Sequence, residues 1–303
     1  MKVLVTGGAG YIGSQLVKAM ALLDQVESIL IYDNLSRKNF NLFFNNKLNK
    51  VQFVQGDILD SRKLKKIIKD IDTVVHLAAV VSTPNPHSES TLFEQVNHWG
   101  TSELVSACES SEVKKIIYLS SASIYGTSDK VADENTLPNP SSLYGYSKLA
   151  GEKEIERLKD KSEIRIIRSA NVFGLSDAIR FDSVINKFMF SANYFGKITI
   201  EGDGTQIRSF VSIDHVVNTI IDYLVDKFTF EYSNLSEITT SLIDFSYQYL
   251  RNVYPDLNIY FTNQNIKLGS LKIISKYQEL NIKRNTEQIN EQLINFKKQF
   301  SFS

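Results

Sequence analysis

Residues 3–16 read VLVTGGAGYIGSQL, in which a short apolar run enters a turn with glycines at positions 7, 10 and 13 and continues at once into a helical pattern. A strand that turns this tightly into a helix commits the chain to a strand–helix unit, and the unit recurs. Further β-branched apolar runs lie at 28–33, 51–55, 73–78, 115–120 and 164–169, and helical patterns fall between them at 12–23, 61–69, 89–110 and 144–159. Strands that are apolar on both faces, each followed by a crossover helix, predict a parallel sheet covered on both sides. The expected fold is therefore α/β, a Rossmann-type doubly wound parallel sheet.

Beyond residue 170 the alternation loosens. Glycine turns appear in EGDGTQ (201–206), and FVSIDHVVNTIIDYL (210–224) reads as a strand followed by a helix capped by Asp214; two more helical patterns lie at 241–252 and 287–298. The expected division is a dinucleotide-binding domain over 1–170, with 207–230 returning to it, and a smaller α/β substrate lobe formed by 171–206 and 231–303. The cleft between them is the expected site.

The glycines have a physical reading in this context. Glycine at the tight turn takes positive φ, its missing side chain lets the backbone approach a pyrophosphate, and the helix N-terminus offers free amides to that charge. A purely structural turn would use the same residues. The second strand decides: SILIYDN carries Asp33, twenty residues after Gly13, the spacing at which a carboxylate meets the adenosine ribose. That carboxylate would repel a 2′-phosphate, so NAD is expected over NADP, with Arg37 close by as a counter-signal. Asp57 in GDILD either reaches the adenine amino group or caps a loop.

SLYGYSKLAGE places Tyr144 and Lys148 four residues apart, on one face of a helix. A free phenol titrates near pH 10, too high for a base at neutrality, and a neighbouring ammonium lowers it. Such a pair also arises by chance, and Tyr146 is a rival without a lysine four residues beyond it. IIYLSSASIYG brings Ser120, Ser121 and Ser123 to the C-terminal end of a strand, where ligands of open parallel sheets bind; they form either a proton-bridging site or a turn that satisfies its own backbone.

Composition narrows the partners. Lys+Arg and Asp+Glu both number 34, so nothing pulls nucleic acid or an anionic membrane surface from a distance. An anionic ligand must be held locally, as a small phosphorylated molecule can be. With one cysteine, Cys108, there is neither an intrachain disulfide nor a thiol cluster for zinc. His76, His87, His98 and His215 lack metal-ligand spacing, so no metal is expected, and His76 reads as a strand end near the cofactor. The start MKVLVTGG lacks the apolar core of a signal peptide, and no apolar run nears the ~20 residues of a membrane span, so a cytoplasmic location is expected. Trp99 and the cluster Phe40, Phe43 and Phe44 read as core or interface.

Taken together, TGGAGYIGS (6–14), YDNLS (32–36), GDILD (56–60), HLAA (76–79), VNHWGT (96–101), SSASIYG (120–126), YGYSK (144–148), NVFG (171–174) and RSFVSIDHVV (208–217) resemble the extended short-chain dehydrogenase/reductases, the NAD-dependent epimerase/dehydratase family acting on nucleotide-activated sugars. The resemblance implies a catalytic Ser121–Tyr144–Lys148 triad. It implies cofactor contacts from Gly7, Gly10, Tyr11, Ile12, Gly13, Asp33, Asn34, Asp57, Ile58, Leu77, Ala78 and Ala79, with Asn97, Tyr144 and Lys148. Substrate contacts fall to Ser121, Asn171 and Arg208, the last two on the diphosphate. Dehydratases of the family resemble Thr-Asp-Glu where this chain has Ser121-Ala122-Ser123, and decarboxylases commonly keep a glutamate at the position of Ser123. The resemblance therefore points to a nucleoside-diphosphate-sugar 4-epimerase working through a 4-keto intermediate, with a net 4-reductase or dehydrogenase as the alternative and a catalytically idle NAD-binding sensor as a second. It also implies a homodimer through helices 89–110 and 144–159. The C-terminal third departs from the family: no motif selects a second phosphate-binding cation among Lys267, Lys272 and Arg284.

Overall fold

The structure, a computed structural model, describes residues 1–44, 48–81, 90–282 and 284–302. Strands Lys2–Thr6 (β1), Ser28–Asp33 (β2), Val51–Gln55 (β3), Thr73–His76 (β4) and Lys115–Ser121 (β5) stand where the apolar runs place them. With Glu163–Ser169 and Tyr232–Leu235 they form a seven-stranded sheet, ordered from Tyr232–Leu235 through Glu163–Ser169, β5, β4, β1 and β2 to β3. Every pairing in it is parallel. The order reverses direction at β1, so the crossovers diverge there and leave a crevice beyond the C-terminal ends of β1 and β4.

Alternating strand residues feed two cores. Val3, Val5, Ile29, Ile31, Val75 and Ile117 pack with Leu16, Val17 and Met20 of helix Tyr11–Ala21 (α1) and with Val216, Ile220 and Leu224 of helix Ile213–Leu224. Leu4, Val74, Ile116 and Tyr118 face the other way, onto Leu64, Leu104, Val105, Cys108 and Ile155. Burial on both faces explains why these strands read as continuous apolar runs.

A third core, with Phe173, Phe188, Phe210, Phe245 and Leu293, fills the smaller lobe. Its sheet orders Ile238–Ser241, Ile207–Ser212 and Asn171–Phe173. Two segments cross the expected division: Tyr232–Leu235 is the edge of the large sheet, and Ile207–Ser212 pairs within the small one.

Some details differ from the sequence reading. Helix Ile213–Leu224 is capped by Ser212, whose hydroxyl accepts from His215 N, and Asp214 sits in the first turn; Ser212 alone has the extended backbone a cap requires. The stretch read as one helix over 89–110 begins at Ser90 and contains a π-helical segment, Phe93–Trp99; Glu89 lies outside the described residues. Phe40, Phe43 and Phe44 are 50%, 40% and 63% exposed and Trp99 is 51% exposed, so none is core. Among the described residues no helix is long and apolar enough to cross a membrane.

Candidate active site

At the crevice lies a cavity of about 970 Å³. The β1–α1 turn forms one wall. Gly7 has φ +71°, and a Cβ there would stand 2.6 Å from Ala78 N, so only glycine allows β1 and the 77–79 loop to meet. Gly10 leads into α1 without a side-chain cap, which leaves first-turn amides facing the cavity as an anion site. Asp33 ends β2; its Oδ2 accepts from Ala9 N at 3.1 Å and its Oδ1 from Leu35 N at 2.8 Å. Burial raises its proton affinity and these two amides oppose the rise. Asp57 Oδ2 accepts from Asn34 Nδ2 at 3.0 Å, so the acids after β2 and β3 share one rim.

The donor set fits a dinucleotide: an amide-rich turn for two phosphates, a carboxylate twenty residues on for ribose hydroxyls, and an apolar floor from Ile12, Ile58, Leu77, Ala78 and Ala79, all lining the cavity. Arg37 also lines it and lies 3.9 Å from Asp182.

The opposite wall is helix Leu143–Glu156, started by the Ser142 hydroxyl accepting from Gly145 N at 3.1 Å. Tyr144 and Lys148 both line the cavity, whereas Tyr146 is 56% exposed on the outer surface, which removes the rival. Burial raises the Tyr144 phenol above its usual value; the Ser121 hydroxyl and the Arg180 charge lower it. Lys148 is itself buried, and desolvation brings it down to about 7 against the opposing charge of Glu152. Ser121 Oγ donates to Ser123 Oγ at 3.1 Å and accepts from Ser123 N at 3.2 Å. Ser120 points the other way and donates to Glu152 Oε1.

Behind this wall is a charged pair that sequence reading does not detect. Arg168 Nε and Nη2 donate to Glu152 at 3.1 and 2.8 Å, Arg168 Nη1 donates to Tyr125 Oη at 2.9 Å, and Tyr125 donates to Asn234 Oδ1 at 2.8 Å. The side chains of Arg168 and Glu152 are 7% and 2% exposed.

From the smaller lobe, Asn171 and Arg208 reach the same cavity. Asn171 Nδ2 donates to Ser209 O at 3.1 Å, and Arg208 Nη1 donates to Ile207 O at 2.9 Å and Gly269 O at 2.6 Å. Arg180 joins them, held by Asp182 through Nε at 3.0 Å and Nη2 at 3.1 Å. It was open to detection as the one arginine between residues 171 and 207, in SDAIRFDS. None of the three cations in the C-terminal third lines the cavity: Lys272 donates to Asp129 O and Arg284 to Glu237 Oε1, while Lys267 sits near Asp203.

Of the expected site residues, Asn97 alone does not line the cavity. It is 1% exposed, accepts from Val80 N at 2.8 Å and donates to Val80 O and Ser147 Oγ, so it ties the 77–81 loop to the Tyr144 helix. Tyr11 lines the cavity but spends its hydroxyl on Gly174 O at 2.8 Å. His76 ends β4 between the Thr6 and Thr101 hydroxyls, and His98 and His215 pair with carboxylates elsewhere. His87 lies outside the described residues.

A model of the NAD dependent epimerase/dehydratase family matches residues 3–230. The dTDP-D-glucose 4,6-dehydratase of Homo sapiens is 35% identical over 234 residues, covering 74% of this chain and 65% of that protein, so the chain spans just under two thirds of its length. The UDP-glucose 4-epimerase of Lactobacillus helveticus is 32% identical over 244 residues, 73% of this chain and 71% of that one. Among solved structures, the UDP-glucuronic acid 4-epimerase of Bacillus cereus in complex with UDP-glucuronic acid and NAD superposes with a TM-score of 0.81 at 26% identity, covering 99% of both chains.

Proposed function

The chain belongs to the NAD dependent epimerase/dehydratase family, and from that premise we propose that it is an NAD-dependent epimerase inverting C4 of a nucleoside-diphosphate sugar through a transient 4-keto sugar. One observation carries the choice of reaction. The end of β5 beside Tyr144 is Ser121-Ala122-Ser123, with no carboxylate to deprotonate C5 or to protonate a departing 6-hydroxyl. Elimination needs that acid–base pair; oxidation and reduction at a single carbon do not.

In this reading Asp33 accepts hydrogen bonds from the adenosine ribose, the β1–α1 amides hold the pyrophosphate, and Lys148 holds the nicotinamide ribose. Bound NAD supplies the acceptor, and then the donor, of the C4 hydride. Tyr144 takes the proton of the sugar 4-hydroxyl, with Ser121 hydrogen-bonded to the same oxygen. Asn171 and Arg208 grip the diphosphate while the keto sugar turns over, so that hydride re-enters C4 from the other face and Tyr144 returns the proton to the 4-oxygen. Arg180, the cation acting on Tyr144, stands at the sugar end. We extend the proposal to a homodimer through helices 90–109 and 143–156, on which Trp99, Leu143 and Tyr146 expose half or more of their surface.

The test is to incubate the protein with UDP-, dTDP- and GDP-hexoses and UDP-glucuronic acid and resolve the products by NMR. A mixture of C4 epimers without net change in nicotinamide absorbance is expected. A 4-keto-6-deoxy product, or stoichiometric consumption of NAD(H), would overturn the assignment in favour of a dehydratase or of a reductase or dehydrogenase.

A further inference from the structure

Lys148 is 2% exposed, and a buried ammonium survives only if something replaces its water. The groups around it are few. Tyr144 and Glu152 lie on its own helix. Arg168, on the neighbouring strand, binds Glu152 in a close pair, and the Glu152 charge still favours the ammonium of Lys148. His76 on β4 is driven down to about 3 by burial and stays neutral. What lies directly against the ammonium is an aromatic face: Lys148 Nζ stands 4.1 Å from the ring centroid of Tyr118, a β5 residue 1% exposed.

Two further observations separate the ring from its hydroxyl. Tyr118 Oη makes no hydrogen bond of good geometry among the described residues; the Thr101 hydroxyl lies close enough to lower its proton affinity but gives its own proton to Asn97 O at 2.7 Å. The helix also leaves room for the ring at one place. A Cβ on residue 151 would stand 2.4 Å from Tyr118 Oη, and the residue is Gly151, three positions after Lys148. The contact with the Lys148 ammonium is made by the π face and not by the hydroxyl.

We propose that Tyr118 is a positioning residue for the Tyr144–Lys148 pair, its ring face carrying the Lys148 ammonium inside the buried site; the functional consequence rests on the epimerase reading above. A desolvated cation over an aromatic face gains enough to hold a lysine's titration up by about one pH unit.

The test uses the full chain labelled with ¹³C at the lysine ε-carbons, the Lys148 signal being assigned by its loss in Lys148→Met. Position 118 is replaced by Phe and then by mono-, di- and trifluorinated phenylalanines, which withdraw electron density from the face while nearly keeping its shape. Phe should leave the Lys148 titration within a few tenths of a unit of the parent. Successive fluorines should lower it stepwise, by about one unit in all for the trifluoro ring, a ten-fold fall in the ammonium-to-amine ratio at fixed pH. If the trifluoro protein does not fold, the slope over the first two steps decides. A Lys148 titration that is flat across the series overturns the inference, even where epimerase activity is found. A stepwise shift without turnover of any nucleotide sugar upholds the inference and removes the epimerase reading instead. In active protein the alkaline limb of turnover should move with the NMR titration, which a merely structural role for the ring would not produce.

Discussion

Replacing Arg168 by Met should destabilise the protein far more than replacing Arg168 and Glu152 together. The two side chains are 7% and 2% exposed, and Arg168 gives Glu152 charge-assisted bonds at 2.8 and 3.1 Å. Removing one partner leaves the other buried and uncompensated, which costs roughly 3–5 kcal/mol. Removing both orphans one buried donor, the Ser120 hydroxyl, since Tyr125 still donates to Asn234 Oδ1, at a cost of about 1–3 kcal/mol. For a chain of this size about 2 °C accompanies each kcal/mol. Arg168→Met should therefore lower Tm by about 6–10 °C, and Arg168→Met with Glu152→Met should recover several degrees. Thermal melts of wild type, both single variants and the double variant form the cycle. A double variant as unstable as the sum of the singles would refute the reasoning, since it would mean the charges do not interact.

Three further predictions concern the cavity. Asp33→Asn should weaken NAD binding by about 10- to 100-fold in calorimetry, because a charged acceptor is lost; unchanged affinity would count against its ribose role. Lys148 has a folded-state value near 7, below its ordinary 10.5, so between those values the unfolded chain holds the extra proton. Stability should then rise with pH from about 7 towards 10.5, and Lys148→Met should flatten that part of the denaturation profile; a rise that persists in the variant would assign it elsewhere. Arg180→Met should raise KM or lower kcat by about ten-fold or more, and kinetics like those of wild type would place Arg180 outside the sugar end.

What was legible in the sequence is what local physics writes there. Gly7 and Asp33 act through backbone conformation and fixed spacing along one strand–turn–helix–strand unit, so their positions follow from the string itself. Tyr144 and Lys148 share a helix face because helical periodicity guarantees it. Interactions that close only in three dimensions were not legible. Arg168 pairs with Glu152 across a strand and a helix, Arg180 enters the cavity from a loop of the other lobe, and Asn97 turns away to hold Val80. The Asp214 cap shows a finer failure: the extended backbone angle that makes a cap falls on Ser212, two residues earlier, and Asp214 is left in the first turn. Trp99 and Phe44 have apolar side chains without a periodic setting, and apolarity alone does not decide burial.

The central claim is that hydride leaves C4 and returns to the same carbon within one closed pocket while Tyr144 handles the proton. The direct measurement is turnover of UDP-glucose or UDP-glucuronic acid deuterated at C4, in ordinary water, with NMR of the epimer formed. The account predicts an inverted C4 that keeps its deuterium, and no such product from Tyr144→Phe. Loss of the label to solvent, or inversion that proceeds without the Tyr144 hydroxyl, would contradict it.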